Sequence, residues 1–292
     1  MRLQKTLRNE VNFEGIGLHT GRYAKVRLKP APRDTGIVFV RSDRQIAIRA
    51  SVDAVTDTAF STTIASNGVK IKTVEHILAA IAGLGIDNLI VEVNGPEIPI
   101  LDGSSVELTI LLMKGGIAKQ SKNKPRLRIT NPLVLTDGNA EVAVFPYNGR
   151  KITYKIHFNH HLLGEQELSV ELNRENFLLE IAPARTFGFL KDVEYLKANG
   201  FAKGGSFDNA IVLGEDRILN SSGLRYKDEF VRHKILDLIG DLALIGVPIY
   251  GHIMANKSGH TTHLKFLKKL LCHPDSWQLE SEVDQHTAVL CN

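Results

Sequence analysis

The chain has 292 residues, of which 43% are hydrophobic and 23% are charged, as in a globular protein with one large or two ordinary domains. No apolar run reaches the length of a transmembrane helix, and residues 1–10 have charges where a signal peptide needs an apolar stretch, so we expect a cytoplasmic protein. The net charge of +4 permits anionic small substrates and a loose association with membrane surfaces. The sequence lacks the clustered basic stripe of a nucleic-acid-binding protein.

The cysteines are few and close to one end of the sequence. Cys272 and Cys291 form no disulfide framework, which fits a reducing compartment.

The pattern of residues 2–60 predicts short strands separated by proline and glycine turns. The predicted strands are 24–28, 36–40 and 45–48. Three glycines surround His19 in the segment 15–21, and this pattern would let the backbone approach an anionic group. A glycine-rich turn with a surface histidine is the simpler interpretation of the same residues.

A mostly apolar segment, 73–82, predicts a helix that carries Glu75 next to His76. The residues Ser61, Thr62 and Thr63 lead into a strand at 69–71 before it. A strand at 88–93, a rigid loop at 95–105 and a helix at 106–113 follow it. Residues 114–125 are polar, rich in lysine and without apolar periodicity, so we interpret them as a linker.

The second half of the sequence likewise predicts short strands and helices. Strands are predicted at 126–129, 141–145, 152–158, 168–172, 210–213 and 249–255. Helices are predicted at 191–198, 230–242 and 264–271. The tail from His273 is polar.

The predicted helix 230–242 has an apolar face together with a polar stripe. His233, Asp237 and Asp241 lie at positions i, i+4 and i+8, so one side of the helix presents an imidazole and two carboxylates. Two ligands one turn apart, joined by His76 from another helix, would hold zinc with a fourth position left for water. Glu75 would then sit beside that water.

The residues alone leave a second interpretation open. An α+β protein of unassigned function fits the same elements, because neither an HExxH helix nor a paired CxxC motif is present. Aligning His76 with His233 also aligns Gly83 with Gly240, which suggests a duplicated module.

A set of collinear motifs runs from about residue 2 to residue 271. The motifs are Thr73-Val74-Glu75-His76, Gly83-Leu84-Gly85-Ile86-Asp87-Asn88, Glu97-Ile98-Pro99-Ile100-Leu101-Asp102-Gly103-Ser104, Ala184-Arg185-Thr186-Phe187-Gly188-Phe189, Gly204-Gly205-Ser206-Phe207-Asp208, Val231-Arg232-His233-Lys234 with Asp237 and Asp241, and Lys257-Ser258-Gly259-His260. Together they resemble the UDP-3-O-acyl-N-acetylglucosamine deacetylases, zinc amidases of lipid A synthesis in Gram-negative bacteria.

The resemblance implies an α+β fold of two similar β-α-α-β modules, packed as a sandwich through their helix layers with the active site between them. The first module, 1–120, would carry a small β insert, and the second, 121–275, a β-α-β insert near 187–213. Residues 276–292 would form a polar tail.

The resemblance also implies roles for the catalytic residues. His76, His233 and Asp237 would hold one zinc ion per chain, and iron(II) is compatible with the same ligands. Glu75 would be the general base and His260 the general acid. Asp241 would keep His260 charged, and the Thr186 hydroxyl would stabilise the developing oxyanion.

The substrate implied by the resemblance is a UDP-linked, acylated amino sugar. Its diphosphate would meet Lys234 and His19, and its uridine would meet Phe158, Asn159 and His160. The aromatic and apolar residues of the insert would line an acyl channel, although periodicity alone favours an ordinary core. They are Phe187, Phe189, Val193, Leu196, Phe201 and Phe207. Gly205 and Ser61 complete the expected contacts.

Two positions depart from many relatives. Ser61 stands where many have a cysteine beside the metal, and Asn139-Ala140-Glu141 stands where several have a lysine. Other classes kept open are a nucleotide-sugar or lipid-binding module without catalysis and a zinc amidase for another substrate. We expect a monomer with no nucleic-acid partner and no integral membrane segment.

Overall fold

The structure is a computed structural model and describes residues 2–281. Its first half contains ten strands and two helices. They are β1 (Arg2–Leu7), β2 (Val11–Ile16), β3 (Tyr23–Pro30), β4 (Ile37–Arg41), β5 (Ile46–Arg49), β6 (Val55–Asp57), β7 (Thr63–Ser66), β8 (Val69–Ile71), α1 (Glu75–Leu84), β9 (Leu89–Val93), α2 (Val106–Lys114) and β10 (Ile117–Lys124).

A five-stranded sheet, ordered β2-β3-β9-β4-β5, forms one face of this half. Alternate residues of β3, Ala24, Val26 and Leu28, are buried, because one side of the sheet faces the helices and the other faces solvent. The three short strands β6-β7-β8 form a separate small sheet. This sheet is the predicted insert of the first module.

The second half contains nine strands and four helices. They are β11 (Arg126–Ile129), β12 (Leu133–Asp137), β13 (Ala140–Phe145), β14 (Arg150–His157), β15 (Glu165–Glu171), α3 (Arg174–Asn176), β16 (Phe187–Phe189), α4 (Val193–Ala198), β17 (Ile211–Leu213), α5 (Glu229–Leu242), β18 (Ile249–Asn256), α6 (His260–Leu271) and β19 (Trp277–Glu280).

Seven of these strands form one sheet, in which β18 pairs with β13, β14 and β11. Strands β16 and β17 pair in parallel with α4 between them, which is the predicted β-α-β insert. Helix α5 packs on α1, so the two halves meet through their helices, and the apolar core is continuous across both. The predicted α+β sandwich of two modules is confirmed.

Gly240 of α5 lies at a close approach of the two helices. A Cβ atom there would overlap the carbonyl oxygen of Glu75, at the start of α1. Gly83, the position that aligns with Gly240, has a similar role, because a Cβ there would overlap the ring of Phe177. Both glycines therefore permit close packing on the helix layer.

The predicted linker is wrong as a description of local structure. Residues 117–124 form strand β10, which pairs antiparallel with β1. Most of its residues are partly or fully exposed, so the strand has no apolar periodicity to detect. Backbone hydrogen bonds to β1 define it instead.

The expected polar tail also differs from the structure in its first residues. Strand β19 pairs antiparallel with β11, Glu280 forms ion pairs with Arg126 and Arg128, and the Trp277 indole donates a hydrogen bond to the Leu270 carbonyl. Residues 282–292, including Cys291, lie outside the described part of the chain.

Candidate metal centre and active site

Three buried side chains of ligand type converge where α1 meets α5. His76 lies in the first turn of α1, and His233 and Asp237 lie one turn apart on α5. Asp237 Oδ1 is 3.3 Å from His233 Nε2 and 3.7 Å from His76 Nε2. One ligand atom from each residue falls within 4.8 Å of the others. The structure therefore brings together the three residues that were predicted from the sequence to be metal ligands.

Hydrogen bonds orient two of the three residues, His233 and Asp237, for coordination. His233 donates its Nδ1 hydrogen to the Ala184 carbonyl at 3.1 Å, which leaves Nε2 with a lone pair directed towards Asp237. Lys234 donates to Asp237 Oδ2 at 2.7 Å, so Oδ1 is the oxygen left for an ion. His76 Nδ1 is buried without a hydrogen-bond partner among the described residues.

The charges of this group match a cation site. Burial, followed by the neighbouring His233, lowers the pKa of His76 to about 3, so its imidazole is neutral near pH 7. Burial also lowers the pKa of His233. Burial alone would raise the pKa of Asp237, but His233 and Lys234 hold it below its usual range. Two neutral imidazoles and one carboxylate are suitable ligands for a divalent ion.

The spacing also fits a small tetrahedral ion. Ligand bonds of about 2.0–2.2 Å place neighbouring ligand atoms roughly 3.3–3.6 Å apart in a tetrahedral site. The separations of 3.3 Å and 3.7 Å need little adjustment to meet that range. The donor set therefore fits a metal such as zinc.

Glu75 lies beside the ligand His76 and is almost completely buried. Its Oε2 accepts a hydrogen bond from the Thr62 backbone at 3.0 Å. Burial raises the pKa of Glu75 to about 8, while His260 opposes part of the rise. A carboxyl group with such a pKa can exchange a proton near neutral pH.

A second buried group centres on Asp241, one turn beyond Asp237. Its Oδ2 accepts from His260 Nδ1 at 2.7 Å and from His263 Nδ1 at 2.8 Å, and its Oδ1 accepts from the Thr62 hydroxyl at 2.6 Å. The two imidazoles direct N–H groups at the carboxylate, so this cluster is a hydrogen-bonded network in which protons occupy the space a metal ion would need.

His260 carries a positive charge near neutral pH. Burial alone would lower the pKa of its imidazole, but Asp241 reverses this and raises the pKa to about 9. The helix α6 begins at His260, four residues before its predicted start, because the extended backbone of Gly259 precedes it. Since Asp241 holds Nδ1, Nε2 is the nitrogen that remains for a substrate.

Sequence reasoning gave no role to Thr62 or His263, which complete these contacts. Thr62 bonds both Glu75 and Asp241, and thereby links the two carboxylates. His263 follows His260 at a spacing of three residues, a helical pattern that could have indicated its shared position. Nothing in the sequence distinguishes Thr62 from its neighbours Ser61 and Thr63.

Aromatic residues of the insert lie beside the candidate metal centre. The ring centroid of Phe187 is 6.4 Å from that of His233 and 5.7 Å from that of Phe158. The ring of His160 lies 5.3 Å from that of Phe189, and its Nε2 donates to the Gly214 carbonyl at 3.0 Å. The structure thus gathers these predicted substrate residues into one group.

The glycine loop around His19 packs on the same insert. The Glu97 carboxylate accepts the His19 backbone N–H at 2.8 Å, and a Cβ at Gly17 would overlap that carboxylate. The ring of His19 lies 5.5 Å from that of Phe201, and burial lowers the pKa of His19. At neutral pH this histidine is a neutral polar group rather than a cation.

The other expected substrate residues are less closely connected. Phe207 is 55% exposed, and the Gly205 backbone donates to the Ala202 carbonyl. Ser61 Oγ is buried without a partner among the described residues. Thr186 bonds Gly103 and Ile211 through its backbone, and within residues 2–281 its hydroxyl donates no hydrogen bond to either cluster.

The helices are short or polar. Within residues 2–281, none combines the length and apolar character needed to cross a membrane.

The fold and the site define a class of α+β protein in which two modules pack helix to helix around a buried His-His-Asp group. A family model described as UDP-3-O-acyl N-acetylglycosamine deacetylase matches residues 4–272, and the chain belongs to this family. The family predicted from the motifs is thereby confirmed.

Several relatives carry the name UDP-3-O-acyl-N-acetylglucosamine deacetylase. The protein of Thermodesulfovibrio yellowstonii is 53% identical over 93% of this chain and 92% of its own. That of Syntrophus aciditrophicus is 48% identical over 96% of this chain and 90% of its own. That of Syntrophotalea carbinolica is 45% identical over 94% of this chain and 90% of its own.

Proposed function

We propose that the protein hydrolyses the N-acetyl group of UDP-3-O-(3-hydroxyacyl)-N-acetylglucosamine, giving acetate and the free 2-amine in lipid A biosynthesis. One zinc ion per chain serves as the cofactor, and iron(II) suits the same ligands. The observation that carries this proposal is the convergence of His76, His233 and Asp237 next to Glu75. The family and the names of the relatives support the substrate.

Zinc held by these three residues would polarise the acetyl carbonyl and acidify water. Glu75, next to the ligand His76, accepts the proton of the attacking water. Its buried position keeps its pKa above that of an ordinary carboxyl group, which makes it a stronger base. The hydroxyl of Thr186 donates to the oxygen on which negative charge develops.

His260 supplies the proton that the leaving amine needs. Its imidazolium form persists at neutral pH because Asp241 accepts its Nδ1 hydrogen. Proton transfer from Nε2 to the amine nitrogen then breaks the amide bond without releasing an amide anion. The base and the acid are thus separate groups. Thr62 donates a hydrogen bond to the base, Glu75, and Asp241 accepts one from the acid, His260.

The substrate is recognised in three parts. Aromatic residues of the insert, including Phe187 and Phe207, contact the acyl chain, and Phe158 with His160 contacts the uridine. Lys234 and His19 lie on the diphosphate side, and Gly205 and Ser61 contribute close backbone and hydroxyl contacts. Lys234 also pairs with Asp237, so its charge acts on the metal ligands as well.

Metal analysis combined with a deacetylation assay tests the proposal. Glu75→Ala should bind about one equivalent of zinc and lose turnover, whereas His233→Ala should lose both. Glu107→Ala, on α2, serves as the control and should retain both. Full turnover by Glu75→Ala would remove the proposed base, and failure of chelation to inactivate the wild type would remove the metal.

Substrates that differ in one part separate the competing classes. A UDP-sugar without its acyl chain should lose much of its turnover, because the insert then has nothing to bind. An amidase for peptides or for sugars without a nucleotide would turn over those compounds instead. A binding module without catalysis would bind the acylated UDP-sugar and release no acetate.

We also propose that the protein acts as a monomer in the cytoplasm, with at most a loose association with a membrane surface. Light scattering of the purified protein and sedimentation with anionic vesicles test these two points. A stable dimer or tight vesicle binding would contradict them.

A further inference from the structure

A cavity of about 360 Å³ lies between the two modules, at the end of α1 opposite to Glu75. Residues of both modules line it, and Ile81 and Ile239 contribute to its apolar wall. None of its lining residues belongs to the two histidine clusters. Since α1 has ten residues, the cavity lies roughly 15 Å along the helix from the catalytic end.

Arg150 lines this cavity from an unusual position. It lies on the same side of β14 as Ile152 and Tyr154, which are buried in the core. Its Nε is buried without a hydrogen-bond partner, and among the described residues no carboxylate pairs with its guanidinium group. Burial, opposed in part by Tyr250, lowers the pKa of Arg150 to about 10. The side chain as a whole is partly buried, and an unpaired charge in such a position is unfavourable.

Other cations face the same space with too few carboxylates. Arg2 bonds Asp87 Oδ1 through Nη2 at 2.8 Å, and Lys124 Nζ lies 3.6 Å from the same oxygen. Lys124 also donates to the Gly246 carbonyl at 2.7 Å. The Asp87 carboxylate thus pairs with two cations, Arg2 and Lys124. Among the described residues no carboxylate pairs with Arg150. The cavity lining therefore combines an excess of cations over carboxylates with apolar side chains.

We propose that this cavity binds a small organic anion with an apolar body, whose carboxylate or phosphate group pairs with Arg150. The planar guanidinium group suits either anion because it can donate two parallel hydrogen bonds. The apolar part would lie against Ile81 and Ile239. The volume is within the range of small-molecule sites, and a ligand there would contact both modules at once.

Calorimetric titration of the full-length, metal-loaded protein tests this site. The probes are hexyl phosphate, hexanoate and inorganic phosphate, and the variants are Arg150→Met and Lys155→Met. Lys155 lies on the same strand but pairs with Glu165 at the surface. We expect the wild type to bind hexyl phosphate or hexanoate more tightly than inorganic phosphate. Arg150→Met should weaken this binding at least tenfold, and Lys155→Met by less than twofold.

A thermal unfolding curve of each ligand-free protein completes the test. If Arg150 has no partner in the ligand-free protein, Arg150→Met should unfold at the same temperature as the wild type or higher, because the substitution removes an unpaired charge. A lower unfolding temperature, or a variant that does not fold, would assign Arg150 a structural role and overturn the proposal. Equal affinity in Arg150→Met, or no millimolar binding of either organic probe, would overturn it as well.

Discussion

Gly240 of α5 lies directly against the backbone of Glu75, so that a side chain at this position would overlap the Glu75 carbonyl oxygen. The contact determines how closely α5 approaches α1. It therefore also determines how far Asp237 and Asp241 lie from Glu75 and His76. The geometry of the site depends on a residue that has no chemistry of its own.

We expect Gly240→Ala to lower both stability and turnover. Alanine favours an isolated helix by about 1 kcal/mol, but here the added methyl group must move one helix, and such overpacking typically costs about 1–3 kcal/mol. Urea unfolding and the deacetylation assay measure the two effects. Gly188→Ala is the matched control for stability, because a Cβ there meets nothing within 4 Å. A stable, fully active Gly240→Ala would show that the helices can separate without consequence.

Thr62→Val should destabilise the protein more than Thr63→Val. The Thr62 hydroxyl donates to Asp241 at 2.6 Å, whereas Thr63 Oγ1 is buried without a partner among the described residues. Removal of the first leaves a buried carboxylate oxygen short of a donor, at a cost of roughly 1–3 kcal/mol. Removal of the second should be neutral or stabilising. Free energies of unfolding in urea compare the pair, and equal losses would count against the network.

The sequence predicted that His233 and Asp237 lie side by side because local geometry fixes their relative position. A spacing of four residues on one helix places His233 and Asp237 on one side, whatever the rest of the fold does. Predicting that His76 completes the group needed either the resemblance or the structure, because it depends on the packing of distant helices. The same holds for Thr62, whose hydroxyl donates across the module boundary to Asp241.

Strands without a buried face were the main failures of sequence reasoning. Strand β10 and strand β19 depend on partners far away in the chain, β1 and β11. Strand β10 is mostly polar and strand β19 has only four residues, so periodicity was uninformative for both. The excess charge around Arg150 was likewise invisible, since a single arginine in a predicted strand gives no sign of what faces it.

Asp241→Asn should move the alkaline limb of the pH–activity profile to lower pH. In the proposed mechanism His260 must be protonated to act as the acid, and Asp241 raises the pKa of His260 to about 9, against the opposing effect of burial. Without that negative charge, burial would bring the pKa of His260 back towards or below 6.5. The profile of kcat against pH measures the shift, with Asp137→Asn, a surface acid paired with Lys265, as the control. An unmoved alkaline limb would mean that another group donates the proton.

The same ion pair makes folding pH-dependent. The pKa of His260 is raised above its usual 6.5, so its contribution to the free energy of unfolding is complete below about pH 6.5 and is lost as pH rises through about 9. The lowered pKa of Asp241 contributes stability above about pH 3.8 that is lost as acid protonates the carboxylate. Urea unfolding at pH 7 and 9.5 should show a decrease for the wild type and a smaller one for Asp241→Asn.

Lys234→Met should weaken metal binding rather than only substrate binding. The Lys234 ammonium group holds Asp237 Oδ2 at 2.7 Å and leaves Oδ1 towards the two histidines. Loss of a group that orients a ligand typically lowers metal affinity by about 10–100-fold. Competition with a zinc-sensitive dye measures the affinity, and Lys265→Met, which breaks a surface ion pair, is the control. If Lys234→Met keeps its zinc affinity and raises KM alone, the lysine acts on the diphosphate and its pairing with Asp237 is incidental.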